Sequence, residues 1–142
     1  MPYEYLEEIA IADIAFRAWG KDLEEVFISA SDATMNVMVE SLDTIQSQER
    51  REVKLEDDAL DMLLFNFLQE FIYYKDAEQL LLRTDQIHIK EDHKHTLVAT
   101  LIGEKLNPDR HGLKSDVKAV TLHRFSLEKN DNVWEATVIL DV

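Results

Sequence analysis

The chain has 142 residues, 46% of them hydrophobic, and its 29 acidic residues against 15 basic ones give a formal net charge of −14. That is one domain's length with enough apolar residues for a real core, and its acidity disfavours direct nucleic-acid binding while suiting cations or a basic protein partner, beside plain solubility. With no cysteine, disulfides, thiolate metal sites and cysteine nucleophiles are excluded, and a cytoplasmic location is the default expectation.

Met1-Pro2-Tyr3-Glu4-Tyr5 lacks the basic and apolar regions of a signal peptide. Tyr3 to Leu6 reads as a short strand. Alternation over residues 12–18 predicts a second strand, with Ile14 and Phe16 on one face and Asp13, Ala15 and Arg17 on the other, broken at Gly20. From Lys21 to about Ser41 the period changes to that of an amphipathic helix, its stripe formed by Leu23, Val26, Phe27, Ala30, Thr34, Val37 and Met38. Arg51 to Leu55 reads as a strand. Asp57 or Asp58 is a plausible N-cap for a second helix reaching about Lys75. Its stripe of Leu60, Leu63, Leu64, Phe67 and Phe71 is widened by Met62, Phe65, Ile72 and Tyr73 nearly all round, which implies packing on more than one side. This apolar stretch is too short for a membrane span and carries Asp61, Asn66 and Glu70, so no membrane association is expected.

The remainder reads as β structure. Residues 82–90 and 96–106 flank a polar turn at Glu91-Asp92-His93-Lys94, and 107–112 is a loop. Residues 117–128 and 133–142 form a hairpin across Lys129-Asn130-Asp131-Asn132. Two helices grouped early and strands in runs predict a single α+β domain over 1–142, the helices packed on a mixed or antiparallel sheet of about six to seven strands.

Three constellations could carry chemistry. His88, His93 and His95 are close in sequence, but the turn between them scatters their directions and no thiolate accompanies them. In the segment 116–125, alternation sets Thr121 and His123 on the face of Ala119 and Phe125, with Lys118 opposite. A histidine among apolar neighbours is more often a hydrogen-bonded structural residue than a catalyst, and no nucleophile accompanies His123. The third is a carboxylate set. Asp13 and Asp141 each lie on the less apolar face of a strand, and Asp141 stands beside the Val142 carboxylate; such oxygens suit Ca2+ or Mg2+. From spacing alone they read as two exposed acids among many. No phosphate-binding glycine loop, nucleophile elbow or zinc-protease helix is present, so composition and motif alone give no enzyme.

Longer stretches carry a resemblance. Tyr3-Glu4-Tyr5-Leu6-Glu7, Ala12-Asp13-Ile14 with Ala18-Trp19-Gly20, Leu63-Leu64-Phe65-Asn66-Phe67-Leu68-Gln69-Glu70 with Asp76, Gly103-Glu104 with Pro108 and His111, Val117-Lys118-Ala119-Val120-Thr121-Leu122-His123, and Leu140-Asp141-Val142 together resemble the archease family, in the family's order over nearly the whole chain. Many archeases carry His-Thr-Ala-Asp where this chain reads Ala10-Ile11-Ala12-Asp13, so a role for that histidine does not carry over. The resemblance implies a small α+β sandwich without catalysis of its own that activates the RtcB-type tRNA-splicing ligase. It implies divalent metal (Ca2+ or Mg2+/Mn2+) on Asp13, Asp141 and Val142, with Lys118 and His123 accessory at the partner interface. The alternative it leaves is a chaperone or modulator of a tRNA methyltransferase or another basic RNA-processing client.

Overall fold

A computed structural model describes residues 2–6 and 13–142. The expected α+β fold is present, with two α-helices and seven strands among the described residues, but the strands are divided between two sheets where one was expected. One sheet has the order β1 (Tyr3–Tyr5), β2 (Asp13–Gly20), β7 (Val133–Asp141), β6 (Ala119–Asn130). The other has the order β3 (Glu49–Asp57), β5 (His95–Lys105), β4 (Leu80–Lys90). Every ladder is antiparallel.

The helices α1 (Leu23–Met38) and α2 (Leu60–Glu78) lie between the sheets: α1 touches β2 and β7 on one side and β4 on the other, and α2 touches β6 on one side and β3, β4 and β5 on the other. This explains why α2 is apolar nearly all round. Leu63, Leu64, Phe67, Leu68, Phe71 and Ile72 are all buried, and the Phe67 ring stacks obliquely on Phe27 of α1 at 5.8 Å and edge-on to Phe71 at 5.2 Å. Helix α1 fits a two-sided slot by using small residues, Ala30 and Ala33 among them, and its buried hydroxyls are satisfied locally. Thr34 donates to the Ala30 carbonyl at 2.9 Å, and Ser29 donates to the Glu25 carbonyl at 2.8 Å.

The helix starts differ in kind. Asp22 caps α1 by accepting the Glu25 N–H at 2.8 Å. The expected acidic cap of α2 is instead Ala59, which makes no side-chain bond; Asp57 accepts the Ala59 N–H at 3.0 Å and so shapes the turn just ahead of the helix. Local composition located the helix, but β3 runs on to Asp57 and claims the residues where a cap would sit.

In the first sheet, Phe16, Ala18 and Val138 belong to the core, so the even positions of β2 face the helices. Asp13, Ala15, Arg17 and Trp19 therefore share the outer face. Arg17 bridges that face, paired with Glu4 at 2.7 Å and Glu135 at 3.7 Å and lying over the Trp19 ring at 5.8 Å. None of the helices described is long and apolar enough to cross a membrane.

Candidate functional site

Strand pairing brings Asp13 and Asp141 together. They are direct cross-strand partners on β2 and β7, and Ala119 of β6 sits on the other side of Asp141. Directly opposed residues in an antiparallel pair have Cβ atoms about 4.5–5.5 Å apart and their side chains on one face, and like charges so placed repel. Both residues are half-buried. The pair is thus a local electrostatic cost that a cation between the two carboxylates would remove.

The backbone around the pair is tied down. The Lys118 N–H donates to the Asp141 carbonyl at 2.8 Å, just before β6 begins. Val142 follows Asp141 directly, half-buried and packed on the core. Thr121 stands on the same outer face as Ala119, two positions along β6, and its hydroxyl oxygen is buried without a hydrogen-bond partner. Two carboxylates, with an unpartnered hydroxyl on the same face of the sheet, are the donor chemistry of a hard cation, so the residues fit Ca2+, Mg2+ or Mn2+. Among the described residues no three His, Cys, Asp or Glu side chains converge, His88, His93 and His95 included, and the aspartates stand as a pair. The residues Ala10, Ile11 and Ala12, where the family's His-Thr would fall, lie outside those described.

His123 does not follow the expected alternation. The β6–β7 register runs Thr121 opposite Ile139, then Ser126 opposite Thr137, so five steps along β6 answer two along β7 and three residues are extra. Arg124 takes up the bend at φ 55°, in the left-handed region that non-glycine residues seldom enter. The odd number of extra residues reverses which face each later residue occupies. Phe125 consequently meets Phe65 of α2 edge-on at 5.6 Å on the core side, while Thr121 faces outward. Leu122, His123 and Arg124 are exposed on the bulge. The sequence reading placed Thr121, His123 and Phe125 on one face because it assumed an unbroken strand.

The path from β5 back to this corner is fastened by a second constellation, read in the sequence only as part of a resemblance. Glu104 is almost fully buried at the end of β5. One carboxylate oxygen accepts the Gln46 N–H at 2.6 Å and faces His111 Nε2 at 3.1 Å, and the other pairs with Arg110. The Asn107 N–H donates to His111 Nδ1 at 2.9 Å, which puts the imidazole proton on Nε2, toward Glu104. Beyond this clasp the chain is pinned to the end of α1. The Glu40 N–H donates to the Gly112 carbonyl at 2.8 Å, and the Lys114 N–H donates to the Met38 carbonyl at 2.9 Å.

Burial alone would raise the Glu104 carboxyl, but the Gln46 N–H, His111 and Arg110 outweigh it and hold it below the ordinary value of 4.5. A depressed carboxyl stabilises the fold fully above its unfolded pKa and loses that contribution as the pH falls through its folded pKa. We therefore expect the stability gap between wild type and Glu104→Gln to be widest near neutral pH and to close below about pH 4.5. Acid titration followed by circular dichroism measures it; a gap independent of pH would mean that the carboxylate charge contributes nothing.

The whole described chain is also matched outside itself. Residues 3–142 match the model of the Archease protein family. Protein archease of Pyrococcus abyssi is 38% identical over 133 residues, covering 92% of this chain and 93% of the relative. Protein archease of Methanosarcina mazei is 34% identical, covering 99% and 95%. Among solved structures, the solution structure of protein 1598 of Methanobacterium thermoautotrophicum superposes with a TM-score of 0.85 at 31% identity, covering 99% of each chain. A crystal structure described as an archease, possible chaperone, from Thermotoga maritima gives 0.63 at 18% identity, covering 94% and 93%. The α+β sandwich is thus the archease fold, and the chain belongs to the archease family.

Proposed function

We propose that this archease is an accessory activator of an RtcB-type RNA ligase, promoting guanylylation and multiple turnover of the ligase in tRNA splicing without catalysis of its own. The observation that carries the reading is the opposition of Asp13 and Asp141 on adjacent strands, in a family member whose surface is strongly acidic. Asp13, Asp141 and Val142 would hold the divalent ion, with Lys118 and His123 flanking that corner toward the partner. A bound divalent ion would supply positive charge for organising phosphate groups, where positioning and electrostatics dominate the chemistry. The protein's own contribution is to hold two acids at fixed spacing on a sheet, and to offer an acidic face to the basic, RNA-gripping surface of a ligase.

A second reading has one observation in its favour: the Thermotoga maritima structure is described as that of a possible chaperone. An acidic surface also suits a tRNA methyltransferase or another basic client. Turnover separates the two. Added to an RtcB-type ligase with GTP and divalent metal, an activator raises ligase guanylylation and carries ligation past one product per ligase. A holdase suppresses client aggregation and leaves both unchanged, and that result would overturn the proposal.

A further inference from the structure

Lys75 is a lysine with almost no exposure, its side chain 6% accessible, on the last turn of α2. A buried ammonium is costly unless fully paired, and this one spends its three protons on Asp116, on Asp76 at 2.9 Å and on the Val117 carbonyl at 2.7 Å. The two aspartates are exposed and could pair with a lysine in solvent. The Val117 carbonyl is the contact that requires burial.

That carbonyl belongs to the same peptide group as the Lys118 N–H, which donates to the Asp141 carbonyl at 2.8 Å. One rigid amide plane is therefore gripped at both ends, by a cation on its oxygen and by the site strand on its nitrogen. A charge-assisted bond to the oxygen polarises the amide and strengthens its N–H as a donor. A similar device sits two residues on, where the Gln69 side-chain oxygen of α2 accepts the Val120 N–H at 3.3 Å. Helix α2 thus orders the start of β6, an edge strand of its sheet.

We infer that Lys75 is a positioning residue for the carboxylate corner: through the Val117–Lys118 peptide it fixes Asp141 at the register that faces Asp13. The inference rests on the reading of that corner as the divalent-cation site.

Lys75→Met keeps the alkyl stem and removes the ammonium, in surroundings that include Met38, Leu81, Leu106 and Leu113. Amide hydrogen exchange should then accelerate about tenfold at Lys118, the loss of one bond to a charged group, with β5 amides such as Leu101 unchanged. Affinity for Ca2+ alone, by calorimetry, should fall by about the same factor. Asp116→Asn leaves the bond to Val117 in place and should change neither readout by more than about twofold. In wild type, Ca2+ titration should shift the Lys118 amide and Lys75 ammonium resonances with one shared Kd, a readout that needs no variant. Equal acceleration at Lys118 and Leu101, or an Asp116→Asn effect as large as that of Lys75→Met, overturns the inference. If wild type binds no divalent cation the metal reading fails, and the Lys118 exchange rate alone still decides whether Lys75 holds the peptide.

Discussion

Asp13→Asn should make the metal-free protein more stable and the metal-loaded protein less stable than wild type. In the absence of a cation the two facing carboxylates repel, and a neutral amide of the same shape removes that repulsion, worth about 0.5 kcal/mol. For a chain of this size that is a rise in Tm of about 2 °C. In Ca2+ or Mn2+ at about a hundred times Kd, wild type gains about 2.7 kcal/mol from binding, or roughly 8–10 °C, and the variant gains little. The two melting curves should therefore cross as metal is added, and Asp141→Asn should behave alike. Few substitutions reverse sign with a ligand, so scanning fluorimetry with EDTA and with metal is a sharp test. A variant that is less stable than wild type without metal, or that keeps the full metal shift, would falsify the paired-carboxylate site.

Gly103→Ala should be among the most damaging single-methyl changes in the protein. Gly103 lies on the central strand β5, between Glu49 of β3 and Leu82 of β4. A Cβ there would come within 1.8 Å of the Leu81 carbonyl oxygen and 2.9 Å of the Leu82 Cα. These are backbone atoms of the neighbouring strand, so no side-chain rotation relieves the overlap and β4 has to move. Leu80, Leu81 and Leu82 are all buried, and shifting them disturbs the contacts of β4 with both helices. The next residue is Glu104, so the displacement also reaches the clasp with Arg110 and His111. A cost of about 4 kcal/mol, near the upper range for one substitution, corresponds to a fall in Tm of about 12–15 °C. Denaturant unfolding measures it directly. A loss below about 1 kcal/mol would mean that the strands can part here at little cost.

Much of this architecture is legible in the chain because it is local. The stripe of Val26, Phe27 and Ala30 marks α1, and the all-round apolar character of Leu63 to Ile72 correctly implies a helix packed on two sides. Alternation also placed Asp13 and Asp141 on the less apolar faces of their strands. Their meeting was not legible by pattern, since a register between residues so far apart depends on nonlocal pairing; the residue types offered them as a candidate set, and the family resemblance made that set the favoured reading. The division of seven strands into two sheets is hidden for the same reason. The β6 bulge left no trace because Arg124, at positive φ, is neither glycine nor asparagine, the residues that would announce such a bend. Lys75 looked like an ordinary basic residue near a helix end; its burial is decided by Asp116 and Val117, which arrive from the far side of two strands.

The opposed aspartates have a consequence in time as well as space. Asp13 is made well before Asp141, with three strands of the second sheet and both helices made in between. Strand β2 must wait, its β7 edge unfilled, until β7 has been synthesised and has docked. A nascent or prematurely released chain lacking β7 can fold helices and hairpins yet cannot juxtapose the two acids. The opposition of the two acids is therefore withheld from every copy that stops short of β7, and its formation certifies that synthesis reached that strand.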